Sequence, residues 1–149
     1  MRRLGLWLCL LLAGLAYPAL THPIFAQPAG FPMKRWFVVE TLNGTDVRDK
    51  ALTLMADLVP SDGTLVPTAN GSAGCNIWTA RFATAEPDAF KVVGGIAATK
   101  MMCPQGNVML LEGNFLAAIA KVTRWRMEGA MLILTGDETA LHLSPHAQR

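Results

Sequence analysis

The feature that most restricts this chain is its punctuation. From residue 34 onward, short apolar or alternating runs are cut by turn-forming residues, and one segment alone departs from that rhythm. Runs of roughly four to eight residues bounded by Gly, Pro, Asn or Asp read as strands. Residues 34–42 carry Trp36, Phe37, Val38 and Val39 and stop at Asn43–Gly44. In 51–57, Leu52, Leu54 and Ala56 alternate with Thr53, Met55 and Asp57, ahead of a turn cluster at Pro60, Ser61, Asp62 and Gly63. A third strand over 64–69 is expected to end at Asn70–Gly71. In 76–84, Trp78, Ala80 and Phe82 alternate with Ile77, Thr79 and Arg81. After a turn at Glu86–Pro87–Asp88, a strand over 90–93 is expected to break at Gly94–Gly95 and another to run over 96–103. The last strands, 123–127, 131–134 and 139–143, are separated by Glu128–Gly129 and Gly136–Asp137.

The exception is 107–122. Val108, Leu111, Phe115, Ile119 and Val122 recur at steps of three and four, the period of one helix face. Pro104 suits the approach to such a helix and Asn107 suits its cap. Gly113 costs it about 1 kcal/mol against alanine, so the helix needs a partner to pack on. Eight or nine strands with one helix before the last three exclude a doubly wound parallel sheet. The expectation is mainly β with one α-helix (α+β): an antiparallel sheet or partial barrel covered by that helix.

The first 26 residues stand apart from this pattern. Arg2 and Arg3 precede a wholly apolar stretch over 4–16, and Pro18 and Pro23 follow it before Ala26. This is the layout of a secretory signal peptide cleaved before Gln27. An uncleaved anchor is the competing reading, with Pro18 against a clean span. Cys9 lies within the apolar run and not at a small-residue cleavage site, which argues against lipid attachment. The chain has 13 Lys+Arg and 11 Asp+Glu, so without Arg2 and Arg3 the charges balance. No basic nucleic-acid surface is expected. The expected division is a signal peptide over 1–26, a flexible lead-in over 27–33, one domain over 34–144 and a tail over 145–149. The expected place is periplasmic or secreted, with no stable membrane span once the signal is removed.

Export leaves Cys75 and Cys103, 28 positions apart. In an oxidising compartment they read as one disulfide, worth roughly 3–4 kcal/mol on loop entropy. Two buried thiols remain the alternative.

The order of motifs then resembles the META/HslJ domain family. Trp36 leads the first strand, Gly71-Ser72-Ala73-Gly74-Cys75-Asn76 precedes Trp78, Thr99-Lys100-Met101-Met102-Cys103 follows, and Glu112 stands before Phe115 and Leu116. The resemblance covers about 34–144. It implies a compact β-rich fold with one helix, placed in a bacterial envelope and often lipid-anchored, a feature this chain departs from. Ile77–Trp78 also departs from the Arg or Ser followed by Tyr or Phe that is usual after the GCN element. The family's links to heat shock, antibiotic tolerance, motility or secretion imply no particular reaction.

Catalytic chemistry has little to work with. Cys75 as a nucleophile would need a base, and the histidines of the exported part are His142, on a solvated strand face, and His146, near the C-terminus. No C-x-x-C and no zinc-ligand spacing occurs. Asp46/Asp49, Asp57/Asp62 and Glu86/Asp88 flank turns and do not read as paired catalytic acids. The Gly71–Asn76 segment reads as a tight structural bend before it reads as a ligand site, and it is no phosphate loop. Met101, Met102, Met109, Met127 and Met131 are read first as core filling, with an adaptable client surface as the other choice. Arg124 and Arg126 could meet an anion, though solvated arginines are the default. Asn43-Gly44-Thr45 and Asn70-Gly71-Ser72 match the glycosylation sequon and read as plain turns.

No catalytic residue, metal ligand or cofactor is therefore assigned. The expectation is a non-catalytic exported binding or stress-response module acting on other envelope proteins or unfolded clients. The alternatives are a thiol-dependent enzyme or redox protein using Cys75 or Cys103, and a carrier of a lipid or small molecule.

Overall fold

A computed structural model describes residues 30–85, 87–103 and 106–146. The expected signal over 1–26, Pro104, Glu86 and the end of the tail at 147–149 lie outside the described residues. The elements are β1 (Trp36–Leu42), β2 (Thr45–Asp46), β3 (Thr53–Ser61), β4 (Thr64–Ser72), β5 (Ile77–Ala85), β6 (Ala89–Ala98), α1 (Gly106–Lys121), β7 (Val122–Glu128), β8 (Met131–Gly136) and β9 (Thr139–Pro145). All strand pairs are antiparallel, and β1 also pairs with β9. The sheet therefore closes into an eight-stranded barrel, with β2 as a short flap on β1. Closure removes the exposed edges an open sheet would carry.

Alternation along the strands fills the interior. Phe37, Val39, Leu52, Leu54, Trp78, Leu132, Leu134, Leu141 and Leu143 are fully or almost fully buried. Each large side chain contributes about 1.5–3 kcal/mol by leaving water. The helix supplies Phe115, Ala118 and Ile119, and Phe115 meets Trp78 edge-on at 5.7 Å. At the opposite end Phe31 lies against Phe82, Phe90 and Trp125 at 5.1–5.6 Å between ring centroids. Of the lead-in expected over 27–33, Phe31 is thus part of the core, so packing begins ahead of residue 34.

The closure is uneven. β6 and β7 share one residue pair, Ala89 with Arg124, beside a hydrogen bond from Trp125 N–H to Asp88 C=O. Arg124 also pairs with Asp88 at 2.7 Å across this seam. The chain leaves β6 at its far end, Ala98, forms α1 and returns as β7 at Val122, so the helix follows the strand whose pairing with β7 is limited to one residue pair.

Several expected breaks are absent. Gly94–Gly95 does not divide two strands: β6 runs through it as a bulge, between the pairs Ala80↔Ile96 and Arg81↔Val93. Gly94 takes the positive φ of 78° that such an extra residue favours. β6 stops at Ala98, so 99–103 is not a strand. Asn70–Gly71 is no turn either, because β4 continues to Ser72. A Cβ on Gly71 would lie 2.0 Å from the Thr53 carbonyl oxygen, so the glycine answers a close backbone approach. The turn after β3 is Asp62–Gly63 alone, with Pro60 and Ser61 inside the strand. Asn107 lies in the first turn of α1 and does not cap it. Pro145 belongs to β9, and His146 N–H bonds Trp36 C=O at 2.8 Å, so the tail starts later than expected.

Candidate functional site

The family-motif residues converge at the end of the barrel where β4 turns into β5. Cys75 and Cys103 form a disulfide with Cα atoms 6.2 Å apart, inside the usual range of about 4.4–6.8 Å. This ties the β4–β5 bend to the segment between β6 and α1. Asn76, next in the chain, is buried. Its Oδ1 accepts from Thr99 Oγ1 at 2.8 Å and from the Met101 N–H at 2.7 Å. Its Nδ2 donates to the Glu112 carboxylate, 3.0 Å from each oxygen, and its backbone N–H reaches Oε2 at 3.1 Å. One side chain thereby joins the bend, the 99–103 segment and the helix.

The local sequence explains the arrangement. Thr53 Oγ1 accepts the Ser72 N–H at 2.9 Å and Thr53 C=O accepts from Trp78 Nε1 at 3.2 Å, which pins the strands on either side of the bend. Ser72 Oγ accepts the Gly74 N–H at 3.1 Å. Thr99 closes the set: its N–H bonds Ile77 C=O at 3.0 Å and its Oγ1 accepts the Ile77 N–H at 3.1 Å. Buried polar groups cost free energy unless paired, and here pairing is nearly complete. Gly71, Ser72, Gly74, Cys75, Asn76, Thr99, Met101, Cys103 and Glu112 all belong to this clasp. Trp36 does not: it is half-buried at the start of β1, at the other end of the barrel.

The remaining candidates are scattered. His142 is exposed on β9 and His146 follows it. Arg126 pairs with Glu128 at 2.6 Å and Arg124 with Asp88, so neither arginine is held ready for an anion. Among the described residues, no group of three or more His, Cys, Asp or Glu comes together to hold a metal ion. No helix among them is long and apolar enough to cross a membrane. Arg48 donates hydrogen bonds to Asp46 and lowers its pKa from 3.8 to about 2; both groups are exposed.

Core filling fails for three of the five methionines. Met101, Met102 and Met109 are 53%, 93% and 52% exposed, while Met127 packs against the core. Ile77 is 62% exposed beside them in the clasp's bonding pattern. Met101 follows the Thr99 bond, and Met109 is one turn ahead of Glu112 on α1. These exposed apolar residues therefore adjoin clasp residues in the chain.

Sequence reasoning found the motif residues by resemblance but missed the role of Glu112. A signal was present: it is the one charged residue between Val108 and Ala120 on an otherwise apolar helix. It also missed a groove on another flank of α1, of about 530 Å³, bordered by the β1–β2 and β8–β9 turns.

A small closed barrel with a disulfide-stapled clasp under one helix defines the structural class. The chain matches the META domain over residues 31–148 and belongs to that family. A solved NMR structure of a protein from Burkholderia xenovorans is 20% identical, with a TM-score of 0.61, covering 89% of this chain and 96% of that one. A second NMR structure is 19% identical with a TM-score of 0.48, over 74% of this chain and 87% of that one. At these identities the likeness concerns the fold. None of the curated proteins matches the chain.

Proposed function

We propose that this META domain protein is an exported, non-catalytic module that acts through its surface on other envelope proteins or on unfolded clients. The observation that carries the reading is the exposed set Ile77, Met101, Met102 and Met109 next to a disulfide-stapled, densely hydrogen-bonded clasp. Methionine is unbranched and polarisable, so it adapts to apolar surfaces of varied shape. Large apolar groups exposed together at one place mark interaction surfaces more often than scattered ones do. The clasp holds them out of the core.

The rival reading as a thiol enzyme loses support from the bonding of Cys75 to Cys103, since the thiolate is the nucleophile. A lipid carrier using the apolar sheet face beside the helix loses support from α1 itself, whose buried Phe115, Ala118 and Ile119 pack there, Phe115 against Trp78. Periplasmic or secreted placement is part of the proposal and rests on the composition of residues 1–26.

The test is suppression of aggregation of an unfolded exported protein by the disulfide-bonded chain. Stoichiometric suppression that is lost in a Met101→Ser, Met102→Ser, Met109→Ser variant with an unchanged melting curve is expected. No suppression by the unaltered protein, together with no partner captured by a photo-crosslinker placed at Met102, would sink the reading. Mass analysis of the protein from its host should place the mature N-terminus at Gln27.

A further inference from the structure

The groove beside α1 differs from the clasp in leaving most of its polar side-chain groups without a partner among the described residues. At about 530 Å³ it falls within the ~300–1,000 Å³ usual for small-molecule sites. Leu42, Val47 and Leu111 give it apolar walls. Lys121 and Glu138 also line it, and neither makes an ion pair with the other or with any other described residue. Lys121 needs no carboxylate to hold its place, because it lies in the last turn of α1, where the helix dipole favours a cation. Asn43 Oδ1 accepts the Ala140 N–H at 2.9 Å, which fixes the side-chain amide and leaves its NH2 group to spare. The Asn114 side chain, also lining the groove, makes no hydrogen bond among the described residues.

Glu138 is the second residue of the two-residue turn between β8 and β9, where its φ of 53° is the left-handed conformation turns commonly use. The turn thereby places the groove's one acid at its lip, across from Lys121 on α1.

We infer that this groove binds a short zwitterionic peptide, of the size of a dipeptide, with apolar side chains. Its carboxylate pairs with Lys121 and takes donors from the Asn43 and Asn114 amides. Its ammonium pairs with Glu138, and an apolar side chain lies against Leu42, Val47 and Leu111. A simple anion or cation would leave the opposite charge of the groove facing it without compensation, and a lipid tail would desolvate the amides. The inference does not rest on client binding, since the methionines adjoin clasp residues in the chain and do not line this groove.

The experiment is a titration of 15N-labelled protein with L-leucyl-L-leucine, followed by amide chemical shifts. Saturable shifts at Thr45, Leu111, Asn114, Ala118 and Thr139 are expected. N-acetyl-leucyl-leucine, lacking the ammonium, and leucyl-leucinamide, lacking the carboxylate, should each bind at least tenfold more weakly. Lys121→Met should abolish the discrimination against the amide, and Glu138→Gln the discrimination against the acetylated form. Both residues are exposed, and unchanged shifts away from the groove will confirm the fold. Absence of saturable shifts overturns the inference. So does equal binding of all three peptides, or shifts confined to the clasp.

Discussion

On one flank of α1, Glu112 reaches Asn76, and the clasp leaves its central polar atoms paired with one another. On another flank of the same helix, Asn114, Lys121 and the facing Glu138 stay unpaired among the described residues around an open groove. The difference follows from water. Asn76 is 2% exposed, so its donors and acceptors must be satisfied within the protein. Lys121 and Glu138 are exposed and remain solvated until something displaces that water. A family motif of polar residues therefore marks structure here, while the groove side chains open to a ligand lie outside the motif.

The largest expected effect tests the clasp as a staple. Replacing both cysteines, Cys75→Ser with Cys103→Ser, should cost about 3–4 kcal/mol in urea unfolding by loop entropy. A loss below ~1 kcal/mol would show that the hydrogen bonds alone hold the bend. Asn76→Ala comes next, at about 2–3 kcal/mol, because it strands the Met101 N–H and one face of Glu112 together. Lys121→Met, on the groove side, should stay within about 0.5 kcal/mol of the unaltered protein. Equal costs for those two variants would break the contrast between the flanks.

Glu138→Gly should move stability the other way. Relief of the left-handed strain outweighs the added chain entropy of glycine, giving a gain of about 0.5–1 kcal/mol. The same variant should lose affinity for the dipeptide. A stability loss would mean that Glu138 already has a structural duty.

The smallest effect concerns Asp46, on the flap beside the groove. Its folded pKa of about 2 is below the ordinary 3.8 because Arg48 donates hydrogen bonds to it. A depressed folded value stabilises the fold above the unfolded pKa, and that contribution disappears as pH falls from about 4 towards 2. Full exposure keeps the effect small. An NMR titration should place the Asp46 midpoint near 2, returning to about 4 in Arg48→Ala; no difference between the two would remove the pairing.

The periodicity gives most of the strands and the helix because inward positions repeat regularly. Leu52, just ahead of β3, with Leu54 and Ala56 on it, and Trp78, Ala80 and Phe82 on β5, are all buried as their alternation requires. It failed at glycines and methionines. Gly71 reads as a turn and Gly94 as a strand break in the sequence because glycine signals a turn, a close approach or a bulge alike, and only neighbouring strands decide among them. Met101 and Met102 read as core in the sequence because hydropathy does not record that a disulfide and a buried asparagine hold their backbone at the surface. In the site, Asn76 and Cys75 were legible through the motif, whereas Lys121 and Glu138 carry no local signal.

The order of apolar and turn residues by itself determined a mainly antiparallel β domain with one packing helix, since side-chain period is a property of the local backbone. Pairing of β1 with β9, the plugging of one end by Phe31 and the meeting of Glu112 with Asn76 were decided by the tertiary structure alone. These contacts join residues far apart in the chain, and their free energy exists only once the barrel has closed and water has left the space between them.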